Sequence, residues 1–253
     1  MPGTKTYCRL LQLLAGLLFG NAALCQELPK DCINAINVCK QVYNFDKIYL
    51  GEGLNRNEIN SSYSCLKRGE NNSLWMIVKV QTDGDLGFLI TPGTPIDIDW
   101  AVYNISNSPC SRISIDKNIE VSCNFSDTAY FSAEKGKTGA TGATGNTHGD
   151  MYSSPYNSKI PVRAGEIYVI AIVTWWTLSN TGFSIDFGLS SADIYDSSSP
   201  AITSISSNIC GGNEIRIKFS KYIDCSTIDA SDFTVSGPGE PYQSVSITSE
   251  NCT

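Results

Sequence analysis

The stretch EIYVIAIVTWWT (166–177) decides the fold class, because its apolar residues occupy both alternating faces. That is the pattern of a strand covered on both sides in the middle of a sheet. As a helix it would be too short to cross a membrane, which takes about 20 apolar residues. Working outward, SLWMIVKV (73–80), GDLGFLIT (84–91), DIDWAVYN (97–104) and GFSIDFGLS (182–190) are separated by turn material such as TDG and TPGTP. Leu86, Phe88 and Ile90 alternate, as do Ile98, Trp100 and Val102, and Phe183, Ile185 and Phe187. A period of two marks half-buried strands. Helical spacing occurs once, at Ile33, Ile36 and Val38–Cys39, and predicts a short helix near 32–43. The expected fold is all-β, a jelly-roll-like β-sandwich over residues 27–196.

Composition agrees with that reading. The chain has 253 residues, of which 42% are hydrophobic, enough to fill a core, and only 17% charged. Soluble domains average about 25% charged, so helical bundles and coiled coils are disfavoured, as is wholesale disorder. The formal charge is −7. Such an acidic chain, with no stripe of Lys and Arg, is a poor partner for nucleic acid, whose binding rests on cations displacing counterions.

The first 25 residues, MPGTKTYCRLLQLLAGLLFGNAALC, combine a basic start (Lys5, Arg9), an apolar run from Leu10 to Phe19, and small residues leading to Ala23-Leu24-Cys25. They read as a secretory signal peptide, residues 1–25, with Gln26 as the new N-terminus. The rival reading is a lipoprotein signal acylated at Cys25, which Leu24 argues against because it is not small. Cleavage leaves eight cysteines: Cys32, Cys39, Cys65, Cys110, Cys123, Cys210, Cys225 and Cys252. An even number in an exported chain reads as a disulfide framework, and eight cysteines permit 105 pairings. Local spacing favours Cys110–Cys123, with Cys32, Cys39 and Cys65 exchanging among themselves. Zinc is disfavoured, since the chain has one histidine, His148, and no C-x-x-C.

Between Cys123 and Pro161 runs a long Gly/Ser/Thr/Asn-rich segment, with glycines at 136, 139, 142 and 145. Four proline-free triplets do not make a collagen helix, and a loop of this length is usually functional or disordered. After a Ser/Pro boundary at DIYDSSSP (193–200) come AITSIS (201–206), EIRIKFS (214–220), DFTVSG (232–237) and SVSITSENC (244–252). An Ig-like sandwich takes about seven strands, so residues 200–253 are expected to be an incomplete, truncated Ig-like β-sandwich domain.

These segments, taken in order, carry a resemblance. DCINAINVCKQVYNF, SSYSCLKRGENNSLWMIVKV, DIDWAVYNI, VSCNFS, RAGEIYVIAIV and TGFSIDF (all within 31–196) are similar to the N-terminal β-sandwich of large exported proteins of gliding Gram-negative bacteria. That module in turn resembles the pre-peptidase C-terminal jelly roll. PAITSISSNICGGNEIRIKFSKYIDCSTIDASDFTVSG (200–237) resembles the start of a surface-layer-type Ig-like domain. The resemblance implies export, in relatives by type IX secretion, and a gliding-motility-associated surface or matrix role. It supplies no catalytic residues.

Candidate site residues are few. Asp97 and Asp99 share one side of a strand, about 7 Å apart. With Asp83 and Asp85 they suit a hard cation such as calcium, although the simpler reading is a solvated strand face. Adjacent Trp175 and Trp176 point to opposite sides of a strand. The outward ring suits stacking on a sugar, with Tyr152 and Tyr156 completing the platform, although the simpler reading is that a second layer of loop covers it. His148 lies in a Gly/Thr-rich loop that would orient a base poorly, and no G-x-S-x-G, H-E-x-x-H or P-loop occurs. The N-x-S/T sequons at Asn60, Asn71, Asn104, Asn124 and Asn251 are expected coincidences of composition. The chain is therefore expected to be a secreted or cell-surface, non-catalytic binding or adhesion module for a glycan or matrix component. It would have no required cofactor and form the front part of a larger protein. The alternatives are an accessory domain of a secreted hydrolase and a structural spacer.

Overall fold

The computed structural model describes residues 28–127, 133, 135–175, 181–207, 215–220 and 231. Residues 1–27, Trp176, Cys210, Cys225, Cys252 and the runs 232–237 and 244–252 lie outside the described residues. Among the described residues fifteen strands run in chain order: β1 (Ile36–Asn37), β2 (Val42–Phe45), β3 (Leu74–Lys79), β4 (Gly84–Leu86), β5 (Leu89–Pro92), β6 (Ile98–Asn104), β7 (Glu120–Asn124) and β8 (Gly139–Ala140). They continue with β9 (His148–Gly149), β10 (Tyr156–Asn157), β11 (Ile160–Val162), β12 (Ile167–Thr174), β13 (Phe183–Asp186), β14 (Ile202–Ser207) and β15 (Ile215–Phe219). The helical turns among the described residues are three short 3₁₀ pieces, so the chain is all-β.

One layer is a six-stranded sheet in the order β1-β3-β12-β6-β7-β9, and the other is built on β2-β13-β5. β12 pairs antiparallel with β3 on one side and β6 on the other, which makes Ile167–Thr174 the central strand expected from its two apolar faces. Leu74, Met76 and Val78 of β3, Trp100 and Val102 of β6, and Ile170 and Ile172 of β12 face Tyr43, Phe45, Ile90, Phe183 and Ile185 of the second layer. Phe88 meets Trp100 edge-on at 4.9 Å in the middle of this sandwich. Burying each such side chain stabilises by about 1.5–3 kcal/mol.

The opposite face of the large sheet is buried too. Trp75, Ala101, Tyr103, Val169, Ala171, Val173 and Cys123 pack under Ala35, Ile59, Leu66, Ile113 and Ile119. These last residues belong to irregular chain around 32–35, 48–73 and 105–119, which forms a lid over the sheet. Too little regular backbone holds the lid, and disulfides do so instead: Cys32–Cys110 and Cys65–Cys123. This corrects the local pairing expected for Cys110 and Cys123. Cys123 points from β7 into the lid, so its nearest sulfur is one that the lid carries down, Cys65. Cys39 is exposed and in no bridge, with its sulfur 3.4 Å from the Tyr43 hydroxyl. The helix expected near 32–43 is also corrected. Cys32–Asn34 is a single 3₁₀ turn, and β1 and β2 follow because Ile36, Val38, Tyr43 and Phe45 are drawn into the sandwich core.

The Gly-rich segment is not a free loop. The Trp100 indole N–H donates to Thr138 Oγ1 at 2.9 Å, and Ala140 is fully buried. Asn157 Nδ2 donates to Thr147 O at 2.7 Å and Cys123 O at 3.0 Å, while Asn124 Nδ2 donates to Asn157 Oδ1 at 2.7 Å. This buried amide pair ties 138–157 to β7. The chain that leaves β13 is anchored as far as Asp196, whose N–H donates to Val38 O at 2.9 Å and whose carboxylate pairs with Lys79 at 3.3 Å. β14 and β15 then form an antiparallel ladder with a register shift between Ile202 and Ser204.

Candidate functional site

Strand alternation decides what reaches the lid side. On β6 and β12, Asp99, Ala101, Tyr103, Val169, Ala171 and Val173 face the lid, with Asp97 and Trp175 continuing the same side at the strand ends. Where the lid stops short of the sheet's margin, two clefts open, and Lys67 and Phe125 line both.

The larger cleft has a volume of about 470 Å³. Its floor is Glu120, whose side chain is only 5% exposed. Glu120 accepts the Ser64 hydroxyl and, at 3.0 Å, the Cys65 backbone N–H. Its Oε1 also lies 3.4 Å from His148 Nε2, while Thr147 Oγ1 meets His148 Nδ1 at 3.0 Å. His148 thus sits on β9 with both ring nitrogens engaged, unlike the poorly oriented base expected of a flexible loop. It meets Glu120 rather than Ser64, so the three do not line up as nucleophile, base and orienting acid. Lys67, Lys117 and Asp150 add charge to the walls. Tyr63 lines one wall and is 42% exposed; Tyr152, 86% exposed, projects from the Asp150–Ser153 turn that makes the other. Cys65, Glu120 and Cys123 also bring three potential metal-ligand atoms within 4.8 Å, but both sulfurs are spent in one disulfide.

The smaller cleft, of about 90 Å³, holds Asp97, Asp99, Asp127, Arg68 and Trp175. The Trp175 indole donates to Asp99 Oδ2 at 2.6 Å, and Arg68 lies over the indole face, 5.2 Å from the ring centre. Asp97 and Asp99 are 8% and 5% exposed, so the solvated strand face expected for them is corrected: the lid covers that side. Burial, with the Asp127 charge adding to it, pushes the Asp97 carboxyl up to about 6. Burial, then the Asp97 charge, pushes Asp99 well above the usual carboxylate range.

Asp83 and Asp85 do not join them. Register places Asp99 opposite Val173 and Lys79 opposite Ile167, so the two acidic pairs lie at opposite ends of β12. Asp83 Oδ1 there accepts the Ala164 N–H at 2.9 Å. Neither Tyr152 nor Tyr156 lines a cleft: Tyr152 is exposed on the turn between Met151 and Ser153, which do, and Tyr156 is half-buried on β10. Four of the five sequon asparagines lie among the described residues, and each has its side-chain amide engaged: Asn60 to Ser114 O, Asn71 to Thr174 O, Asn104 to Ser106, and Asn124, 1% exposed, to Asn157.

Sequence reasoning missed Glu120, Tyr63, Arg68 and Asp127, since nothing in their spacing joins 63–68 to 120–127. The half-cystine positions carried the one usable signal, because Cys65–Cys123 brings those segments together. It also missed a second buried carboxylate group under the lid. Glu58 accepts the Cys32 N–H at 3.0 Å, and burial pushes its carboxyl up to about 7, with Glu70 and Asp31 adding to the shift. Comparison with protein-family models, with characterised proteins and with solved structures finds no match to this chain, so its functional reading rests on these residues.

Proposed function

We propose that this chain is an exported, cell-surface binding module that holds a glycan in the larger cleft and performs no chemistry on it. The observation that carries the reading is the cleft itself: an open trough with the exposed Tyr63 in its wall and the exposed Tyr152 beside it, on the turn whose Asp150 and Ser153 line it. Sugars offer rings of hydroxyls above and below apolar C–H faces. Aromatic rings suit the faces, and Ser62, Asp150, Lys67 and Lys117 supply donors and acceptors for the hydroxyls. Glu120 is already bonded by Ser64, Cys65 and His148, which gives the floor a fixed shape rather than a reactive group. The leader-like first 25 residues and the two disulfides favour an oxidising compartment outside the cytoplasm. No helix among the described residues is long and apolar enough to cross a membrane.

A glycan array followed by calorimetry on the best ligand tests this. Replacing Tyr152 or Tyr63 with Ala is expected to weaken binding by about tenfold each, about 1.4 kcal/mol. Tyr156→Ala is expected to leave affinity unchanged. Binding indifferent to both Tyr63 and Tyr152 removes the cleft from the account.

A further inference from the structure

We infer that the smaller cleft is a divalent-cation site with Asp97, Asp99 and Asp127 as its carboxylate ligands, and that calcium is the ion it takes. The inference goes beyond the glycan reading and does not depend on it.

Asp99 is 5% exposed; its Oδ2 is held by Trp175, and its Oδ1 is sealed from solvent without any hydrogen-bond partner. A buried charged oxygen left unmet costs more than an ordinary lost hydrogen bond, so such an atom calls for a partner, and Asp99 is one of the residues that line the cleft. Among the described residues no Lys or Arg lies within ion-pair distance of the three carboxylates. Arg68 is committed to the Trp175 face, and Lys67 also lines the cleft, so two basic side chains against three carboxylates leave it at −1. A proton on Oδ1 would become a donor with no acceptor, and a single water would satisfy the atom without touching the charge. A divalent cation does both.

The donors are all carboxylate oxygens, which select a hard cation; no cysteine or histidine lines this cleft. Asp97 and Asp99 come from the start of β6 and Asp127 follows β7, so two separate pieces of chain deliver the ligands. The three do not all close to within 4.8 Å of one another. Magnesium demands a near-ideal small octahedron, whereas calcium accepts six to eight oxygens in irregular array, with water filling the remainder. The cavity of about 90 Å³ has room for that water.

The test uses the full chain and terbium(III) as a luminescent calcium substitute. Trp175, bonded to a ligand carboxylate, should sensitise terbium emission, and calcium should displace the ion with a dissociation constant on the order of 10⁻⁴–10⁻³ M, ahead of magnesium. Asp99→Asn keeps an oxygen for Trp175 and should weaken terbium and calcium at least tenfold. Asp97→Asn and Asp127→Asn, less buried than Asp99, give the same readout where Asp99→Asn does not fold. Asp83→Asn should change nothing. No sensitised emission from the folded chain, or emission equal in Asp97→Asn and the unsubstituted protein, overturns the site. Glycan affinity measured in chelator reports on the larger cleft separately.

Discussion

Gly139 and Gly145 belong to one three-residue repeat, yet the structure asks for only one of them. A Cβ at 139 would fall 2.2 Å from the Phe88 carbonyl oxygen, while at 145 it would meet nothing within 4 Å. Gly139→Ala is therefore expected to destabilise by about 1–3 kcal/mol through forced backbone movement, and Gly145→Ala to stay within about 0.5 kcal/mol. Urea denaturation of the two variants checks this, and equal effects would mean that 138–140 does not press on Phe88. Titration is legible at the same scale. Glu58 is pushed up to about 7 from an ordinary 4.5, facing Glu70, Asp31 and Asn55, with the Cys32 N–H pulling the other way. The folded chain thus holds a proton there that the unfolded chain has released, and its stability falls as pH rises from about 4.5 to about 7. Asp97, facing Asp99, Asp127 and Arg68, adds a fall in the same direction through about 6 in metal-free solution. Melting temperature in chelator is expected to be higher at pH 5 than at pH 7.5, and Glu58→Gln is expected to flatten the difference. A melting temperature that rises with pH across this window would contradict the burial of Glu58.

Among the elements, those with strong periodicity were legible in the sequence and those held by cross-links were not. β3, β6, β12 and β13 follow from alternating or continuous apolar residues, because burial on a sheet imposes a period of two. The lid has no period. Ile59, Leu66, Ile113 and Ile119 enter one apolar cluster from irregular backbone, and only their contact with Trp75 and Tyr103 explains them. The disulfides were misread for the same reason, since spacing along the chain does not reveal which segment folds over which sheet face. The bridges join residues 78 and 58 positions apart. In the chain-entropy account each contributes about 4 kcal/mol. Replacing Cys65 and Cys123 with Ser is expected to lower unfolding free energy by roughly that amount and to release Glu120 from Ser64 and Cys65. Peptide mapping under non-reducing conditions should recover 32–110 and 65–123 as linked pairs. Recovery of 110–123 would return the local pairing.

For the molecule as a whole, the last tightly held residues before the C-terminal strands are Ile194, fully buried, and Asp196, tied to Val38 and Lys79. Beyond them β14 exposes Ile202 at 52% and Ile205 at 64%. Limited proteolysis is expected to cut first between Asp196 and Ile202 and to leave a resistant fragment ending near Asp196. Equal resistance on both sides would place the boundary elsewhere.

The position of β12 has a further consequence, in time rather than space. β3 and β6 flank a gap that only β12 fills, and the closing strand is made well after both. A ribosome adding about 5–20 residues per second leaves the gap open for several seconds after β6 has emerged. Throughout that interval the sheet lacks its centre, and Trp75 and Trp100 have no continuous surface to pack on.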